Sequence, residues 1–471
     1  MKLLRWSCAL IVVASFTGIA SAKEKQKEAS AQSVDSGSFG VFIKGQRVGT
    51  ETFSVTQNAN GSVIHSEFKA EGAAGKAIQN SDLQLTAHGA ASAAFHTRYF
   101  GADFAEFYIA GKILNQHGAD ALYDLNLQTR LFHQLDPGNH DAELWFVCAP
   151  YLAQVFRPFA LLSFRTAYIA WMIVAILTYG IGVGGLSPYL AGLPKPYRRA
   201  ALLLGLTFVP VALWSLVGGQ IGVIAFAIIA WCVRFDLSGK QLAAGATLAL
   251  CCYKPTLLLL FGPFLLLRMN LRFLLGFAAG LIGLLAVSLL TSVKAVFDWL
   301  GLISTYGQFA SQGNTPWPDT WPLLVDLNHF VRRMNTSNTR LSVFVAAAAF
   351  IGVVALLARY WRRFDAATVE ERQATWAVTI TSSLLANLYV TAYDSASIVA
   401  GALLTASVMW RHRSKVRWTR RFYAIVAVVY LTALIPAPVI AYLQVHLYTL
   451  AIAALALFQY RLLSRLSKRS A

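Results

Sequence analysis

The chain is poor in charge: Asp, Glu, Lys and Arg make up only 13% of its 471 residues, while 56% are hydrophobic. A water-soluble protein carries about twice that charged share. Lipid must therefore solvate much of the surface, in line with the mean hydropathy of +0.53. Cysteine is scarce too. The five, Cys8, Cys148, Cys232, Cys251 and Cys252, show no repeated C-x-x-C and no Cys/His ligand spacing, which leaves neither a zinc site nor a disulfide framework. They read as small core residues. The glycine pattern of a P-loop, a G-x-G-x-x-G fingerprint and H-E-x-x-H are all missing, so nothing points to a nucleotide pocket or a zinc hydrolase. Positive charge, by contrast, is in excess, with a formal net charge of +18. It sits in short clusters between apolar segments and forms no continuous patch. That pattern argues against a nucleic-acid partner and matches the positive-inside bias of membrane proteins.

Residues 1–22 carry Lys2 and Arg5, then an apolar stretch, then Ala20-Ser21-Ala22 before a charged tail. This reads as an export signal cleaved after Ala22, or as an uncleaved first transmembrane helix. Between Ser36 and Leu85 the sequence alternates and is punctuated by turns: Gly40–Ile43, Val48–Val55, the Asn60-Gly61 pair and Val63–Phe68. A small antiparallel β module outside the cytoplasm is expected there. From Arg165 onward come apolar stretches near 165–186, 199–217, 220–235, 241–267, 272–291, 341–358, 374–392, 395–410, 422–440 and 441–459. Most approach the roughly 20 residues that a helix needs to cross a bilayer core.

The stretch 241–267 lies between Lys240 and Arg268, both expected on the same face. It should turn back at Tyr253-Lys254-Pro255 as two short half-helices, because proline and a buried lysine break a helix there. With that return, the clusters Lys195/Arg198/Arg199, Arg234/Lys240, Arg268/Arg272, Arg359/Arg362/Arg363, Arg411 to Arg421 and Arg461 to Arg469 all fall on one, cytoplasmic, face. The expected fold is mainly α, a polytopic transmembrane helical bundle of about 10–12 membrane helices with a small N-terminal extracytoplasmic β module. By segment, 23–95 is the β-rich module and linker, 96–164 an extracytoplasmic loop with amphipathic helices, 165–460 the bundle with an outward loop at 292–340, and 461–471 a basic cytoplasmic tail.

The outward segments hold nearly all the polar residues able to do chemistry. Pro316-Trp317-Pro318 through Trp321-Pro322 suits a semi-rigid loop at the lipid interface. The segment from Gly101 to Gly111 and on through Tyr123-Asp124 to Gln128 has near-helical apolar spacing, which predicts amphipathic helices on the outer leaflet. Asp103 is either a base for an acceptor hydroxyl or the cap of the helix that follows. Asp124 reads as a cap for the helix carrying Gln128. Lys254, inside an apolar stretch, requires an anion such as a lipid phosphate, or else snorkels to the interface. Gln220 of Gly218-Gly219-Gln220 and Asp394 of Tyr393-Asp394 sit at outward helix ends, where they line a site or satisfy free backbone groups.

In order and spacing, these pieces over residues 98–460 resemble the family-87 glycosyltransferases, multi-spanning GT-C-type enzymes that include polyprenol-phosphate-mannose-dependent mannosyltransferases. The family's Asp-Phe opening, followed by an aromatic, an Ala and later Tyr-Asp, is matched by Asp103-Phe104, Tyr108, Ala110 and Tyr123-Asp124. Its Gly-Gln turn is matched by Gly219-Gln220, its Tyr-Lys-Pro by Tyr253-Lys254-Pro255 and its late element by Tyr389 and Tyr393-Asp394. The chain departs from the pattern at Cys148-Ala149-Pro150, where the family has Tyr-Pro-Pro, and at Leu388, where it has proline. The β module also stands in place of the transmembrane helix expected before Asp103.

The resemblance implies a membrane glycosyltransferase that transfers a hexose, mannose by analogy, from a polyprenyl-phosphate donor to a glycan or glycolipid acceptor, with inversion. Asp103 would be the base, Lys254 would stabilise the departing phosphate, and Tyr108, Tyr123, Asp124, Gln128, Gln220, Tyr389 and Asp394 would bind substrate. Neither cofactor nor metal is required. The expected location is the bacterial inner membrane, with membrane lipid as surroundings and the site facing the periplasm or exterior. A transporter or flippase would instead show paired ionisable residues at mid-membrane and a repeat between halves, and neither is clear in the sequence. In a non-catalytic assembly protein the β module would bind a partner and the bundle would serve as an anchor.

Overall fold

The computed structural model describes residues 32–43, 46–58, 61–70, 78–86, 102–135, 145–311, 323–334, 339–411, 416–435, 440, 443 and 445–470. The expected signal (1–22), the Asn60 position of the turn and the Trp/Pro-rich stretch 316–322 lie outside the described residues. The chain divides into two compact units, Met1–Arg98 and Tyr99–Ala471.

The first unit is an antiparallel meander of β1 (Gln32–Ile43), β2 (Gln46–Asn58), β3 (Gly61–Ala70) and β4 (Ile78–Thr86), paired in the order β1-β2-β3-β4. Asn58 pairs with Gly61, which fixes a tight β2–β3 connection where the Asn-Gly signal predicts one. β1 starts at Gln32, well before Gly40, because its polar half carries no hydrophobic alternation and is held by backbone pairing to β2.

In the second unit the described part of each predicted apolar stretch lies mostly on helix. α1 (Ala102–Gln116), α2 (Leu125–Leu135) and the short α3 (Pro150–Phe156) precede the bundle. Then follow α4 (Phe164–Leu190), α5 (Lys195–Leu206) with a π-helical continuation at Pro210–Val217, and α6 (Gly222–Leu237). The 241–267 stretch is broken as expected: α7 (Gln241–Ala249) and α8 (Phe261–Arg268) are joined by two 3₁₀ turns, Leu250–Tyr253 and Pro255–Leu258, with Lys254 extended between them. The rest is α9 (Leu271–Thr291), α10 (Val293–Ser311), α11 (Leu327–Met334), α12 (Thr339–Arg362), α13 (Val369–Leu385), a 3₁₀ turn Ala392–Ser397 leading into α14 (Ile398–Arg411), α15 (Val416–Thr432) and α16 (Leu447–Ser470).

Among the described residues five helices are long and apolar enough to cross a membrane, or six if the pair bent by 49° at residues 207–209 counts as one span. The other apolar stretches of the expected 10–12 form shorter or broken helices. The chain is a multi-pass membrane protein. Where bare backbone meets bare backbone the helices pack closely: a Cβ on Gly245 or Gly276 would lie 2.0 Å from Phe273 O or 2.1 Å from Leu242 O, so α7 and α9 touch through these glycines.

Two expectations are corrected. α1 is not an amphipathic surface helix: Phe104, Ala105, Phe107, Tyr108, Ile109, Ala110 and Ile113 are all buried, so it is covered on several sides. Its apolar residues fall on more than one stripe, which a spacing argument reads as amphipathic only when one stripe is considered. The segment 292–340 is not simply a loop, because α10 and α11 occupy most of its described part.

The end of the bundle at the C-terminus of α6 is pinned by Arg268. Its guanidinium, 1% exposed, reaches Asp236 Oδ1 at 2.7 Å, pairs with Asp365, and meets Gln241 Oε1 at 3.2 Å. The other oxygen of Asp236 accepts the Trp376 indole N–H at 2.7 Å, so α6, α8 and α13 share one satisfied polar knot. Removing one partner of a buried pair leaves the other charge uncompensated, at about 3–5 kcal/mol. Arg268→Met is therefore expected to lower the thermal midpoint of the detergent-solubilised protein by several degrees. An unchanged midpoint would show that the knot contributes nothing.

Candidate functional site

The opposite end of α6 begins beside the Gly218-Gly219-Gln220 turn, and there the fold brings α1 into contact with the bundle. Phe104 is fully buried and its ring meets Phe156, Phe159, Phe164, Tyr168 and Trp171 at centroid distances of 5.8–6.3 Å. Burying a ring of this size contributes about 2–3 kcal/mol, and it fixes the first turn of α1. The Phe104 N–H, one of the donors left free at a helix start, is taken by Gly218 O at 3.2 Å. Gly219 adopts φ +86°, and a Cβ there would lie 2.5 Å from Phe104 Cβ. Glycine is thus required twice over, for its backbone conformation and for the close approach.

This contact sets the place of Asp103, in the first turn of α1. A Cβ on Gly218 would stand 3.4 Å from Asp103 Oδ2. The next residue of the turn, Gln220, is buried; its side chain hydrogen-bonds Asp103 and its amide donates to Glu106 Oε1 at 3.4 Å. One amide therefore links two carboxyl groups a helical turn apart.

The break in 241–267 delivers Lys254. Its Nζ lies 2.5 Å from Asp394 Oδ2, with side-chain exposures of 17% and 3%. Asp394 Oδ2 also accepts from Thr391 N at 3.0 Å and Thr391 Oγ at 2.8 Å, so the carboxylate caps its own turn while holding the lysine. Of the two sequence alternatives for Asp394, the structure shows the one in which it satisfies free backbone groups. Tyr393 and Tyr389 present their rings to Nζ at 4.8 and 5.7 Å, a cation–π contribution that strengthens where water is excluded.

The two halves share one electrostatic neighbourhood. Glu106 interacts with both Asp103 and Lys254, and Cys148 with Glu106, Lys254 and Asp394. α1 lies outside the candidate membrane spans, and its acids are strongly perturbed. Burial raises the Asp103 carboxyl to about 6 against the opposing Gln220 hydrogen bond. Glu106 is pushed well above the ordinary carboxyl range, first by burial and then by the Asp103 charge. Burial likewise raises the Cys148 thiol. Burial thus holds both acids of α1 above the ordinary carboxyl range, a perturbation that suits acid–base work.

Of the residues singled out in the sequence, Asp103, Gln220, Lys254, Tyr389 and Asp394 meet here. The others do not. Tyr108 donates to Leu162 O at 2.9 Å, and Gln128, fully buried, bonds Leu122 O and Phe146 N at 2.8 and 2.7 Å. Asp124 caps α2 through Leu127 N at 3.1 Å. Tyr123 and Asp124 line a separate open cavity of about 620 Å³ with Asp120, Lys294, Phe297 and Asp298. The Tyr123 hydroxyl donates to Cys148 O at 2.6 Å, which ties this cavity's wall to the Lys254 cluster.

Three further groups lie in or beside the cluster. Glu106 was detectable, since residues i and i+3 share a helix face. Cys148 stands out only as a departure from the Tyr-Pro-Pro pattern. His329 carried no signal: its ring Nδ1 lies 3.0 Å from the buried Asp326, which also accepts Val390 N at 2.9 Å, and its ring packs edge-on against Tyr389 at 5.8 Å. Among the described residues no three His, Cys, Asp or Glu side chains are placed to hold a metal ion.

A multi-helix membrane bundle with two perturbed, partly buried acids and a paired lysine gathered at one end has the make-up of a membrane-embedded group-transfer enzyme. Glycosyltransferase family 87 supplies the class of transfer: its sequence model matches residues 146–391, just over half of the chain, and the chain belongs to that family. It is a membrane glycosyltransferase. Asp103 and Glu106 lie upstream of the matched stretch, which contains Gln220, Lys254 and Tyr389. Searches of curated proteins and of solved structures each give no significant match.

Gly219→Ala should displace the first turn of α1, because a non-glycine residue at this φ costs about 1–2 kcal/mol before any clash. Misplacing a reacting group by about 1 Å costs up to 100-fold in rate. Sugar transfer is expected to fall at least tenfold while the protein still inserts and purifies as a monodisperse species. Wild-type turnover in that variant would show that the turn does not position the site.

Proposed function

We propose that the protein transfers a hexose, mannose by family analogy, from a polyprenyl-phosphate donor to a glycan or glycolipid hydroxyl on the non-cytoplasmic face of a bacterial inner membrane. The observation that carries this reading is the shared neighbourhood of Asp103, Gln220 and Glu106 with Lys254 and Asp394, residues contributed by widely separated parts of the chain.

In this reading the ionised Asp103 accepts the proton of the acceptor hydroxyl while that oxygen forms its bond to the anomeric carbon. The bond from the anomeric carbon to the phosphate oxygen breaks on the opposite side of the sugar, which inverts the centre, and the lipid phosphate leaves with the electron pair. Lys254 has three N–H donors; one engages Asp394 and the others face the charge that builds on the departing phosphate, as a fixed cation in a site shielded from water should. Glu106, whose carboxyl burial pushes well above the ordinary range, shares the Gln220 amide with Asp103. With the phosphate held by protein donors, no metal is needed. The cavity at Tyr123, Asp124 and Phe297 offers hydroxyl-binding groups and one exposed ring, a composition that fits an acceptor sugar.

Asp103→Asn is expected to abolish transfer from a labelled polyprenyl-phosphate mannose in proteoliposomes without loss of folded protein, and full activity would remove Asp103 from the mechanism. Because the base works only when ionised, the wild-type rate should rise with pH through about 6 and level off above it. A profile flat between about pH 5 and 7, as an unperturbed carboxylate would give, would contradict the assignment.

A further inference from the structure

The break that delivers Lys254 also carries two buried hydroxyl oxygens without a hydrogen-bond partner, Tyr253 Oη and Thr256 Oγ1. Tyr253 is 3% exposed and ends the first 3₁₀ turn, immediately before the lysine. A buried O–H that gives up water and gains no acceptor is disfavoured, and such a group calls for a reason. Its surroundings supply one. Tyr253 lies within electrostatic reach of Asp394 and Cys148; Asp394 holds Lys254, and Cys148 interacts with Lys254, Glu106 and Asp394. The unpartnered hydroxyl therefore belongs to the cluster and is not a stray core defect elsewhere in the bundle.

The ligand chemistry follows from the neighbours. Lys254 and Asp394 together are close to neutral, and an ammonium is a point charge that fixes little orientation. A phosphate monoester has acceptor oxygens and no need for a second full cation when a directional O–H donor is at hand. We propose that the Tyr253 hydroxyl positions the donor by hydrogen-bonding a phosphate oxygen beside Lys254. This rests on the lipid-phosphate reading of the site and adds to it a residue whose role is orientation rather than charge.

The test compares full-length wild-type protein with Tyr253→Phe, which removes one oxygen and no ring. Binding of undecaprenyl phosphate, undecaprenol and inorganic phosphate is measured on the purified proteins, with thermal midpoints recorded without ligand. Undecaprenyl phosphate should bind the variant about tenfold more weakly, the scale of a lost hydrogen bond to a charged acceptor. Undecaprenol should bind both proteins equally, and the midpoint should stay the same or rise, because an unpartnered donor has been removed. The same weakening towards inorganic phosphate would assign the bond to the phosphate alone, whereas weakening confined to the lipid form would assign it to a headgroup seated by its tail; either supports the proposal. Equal affinity of both proteins for undecaprenyl phosphate, weaker binding of undecaprenol, or a loss of affinity accompanied by a lower midpoint would overturn it. Failure of the wild-type protein itself to bind undecaprenyl phosphate would bring down the donor reading as well, an outcome visible without the variant.

Discussion

A lysine in the middle of an apolar stretch must find an anion, and the rest of the site is arranged around the one that Lys254 finds. Taking two charges out of water costs several kcal/mol per ion. The pair persists because Asp394 is at the same time held by Thr391 N and Oγ and because two tyrosine rings cover the ammonium. The pairing requires the helix of 241–267 to break, since only a break turns Lys254 toward the 3₁₀ turn that carries Asp394. The apolar segment thus gives up helix continuity at its middle, and the chemistry is placed at that interruption.

The second constraint is steric. The Gly218-Gly219 turn lets α1 approach the bundle backbone to backbone, and the ring of Phe104 locks that approach. Asp103 and Glu106 are then held one helical turn apart against a single amide, Gln220. Burial raises both carboxyls, Asp103 to about 6 and Glu106 well above the ordinary range, and the Lys254 charge opposes only part of the shift on Glu106. The far end of α6 shows the contrasting solution: Asp236 meets a guanidinium and an indole N–H, and the polar groups there are matched to one another. The satisfied knot holds helices together, whereas the cluster near Lys254 retains unpartnered donors and perturbed acids.

Much of this was legible in the residues. Apolar runs flanked by basic clusters report lipid burial directly, so the described part of each expected stretch lies mostly on helix. Tyr253-Lys254-Pro255 announced its break, because proline cannot continue a helix and lysine cannot sit in one facing lipid. Asp103, Gln220, Lys254 and Asp394 each stood out as polar groups in apolar surroundings. The spacing of α1 misled: residues 102–116 show helical periodicity, but a stripe does not reveal how many neighbours will cover a helix, and this one is covered on several faces. The polar first half of β1 and the helices within 292–340 were missed for the opposite reason, since backbone pairing and contact with other elements hold them without a clear hydrophobic period.

Composition and periodicity set the medium, the helical class, the break and the residue types able to do chemistry, because they are properties of the chain read locally. The partners emerge from the packed fold alone: Lys254 meets Asp394, Gln220 links Asp103 to Glu106, and Tyr123 reaches Cys148 while Gln128 is occupied by backbone. These are pairings between residues up to about 140 positions apart in the chain, and no local pattern encodes them. They follow from which glycines allow close approach and which rings fill the space between helices.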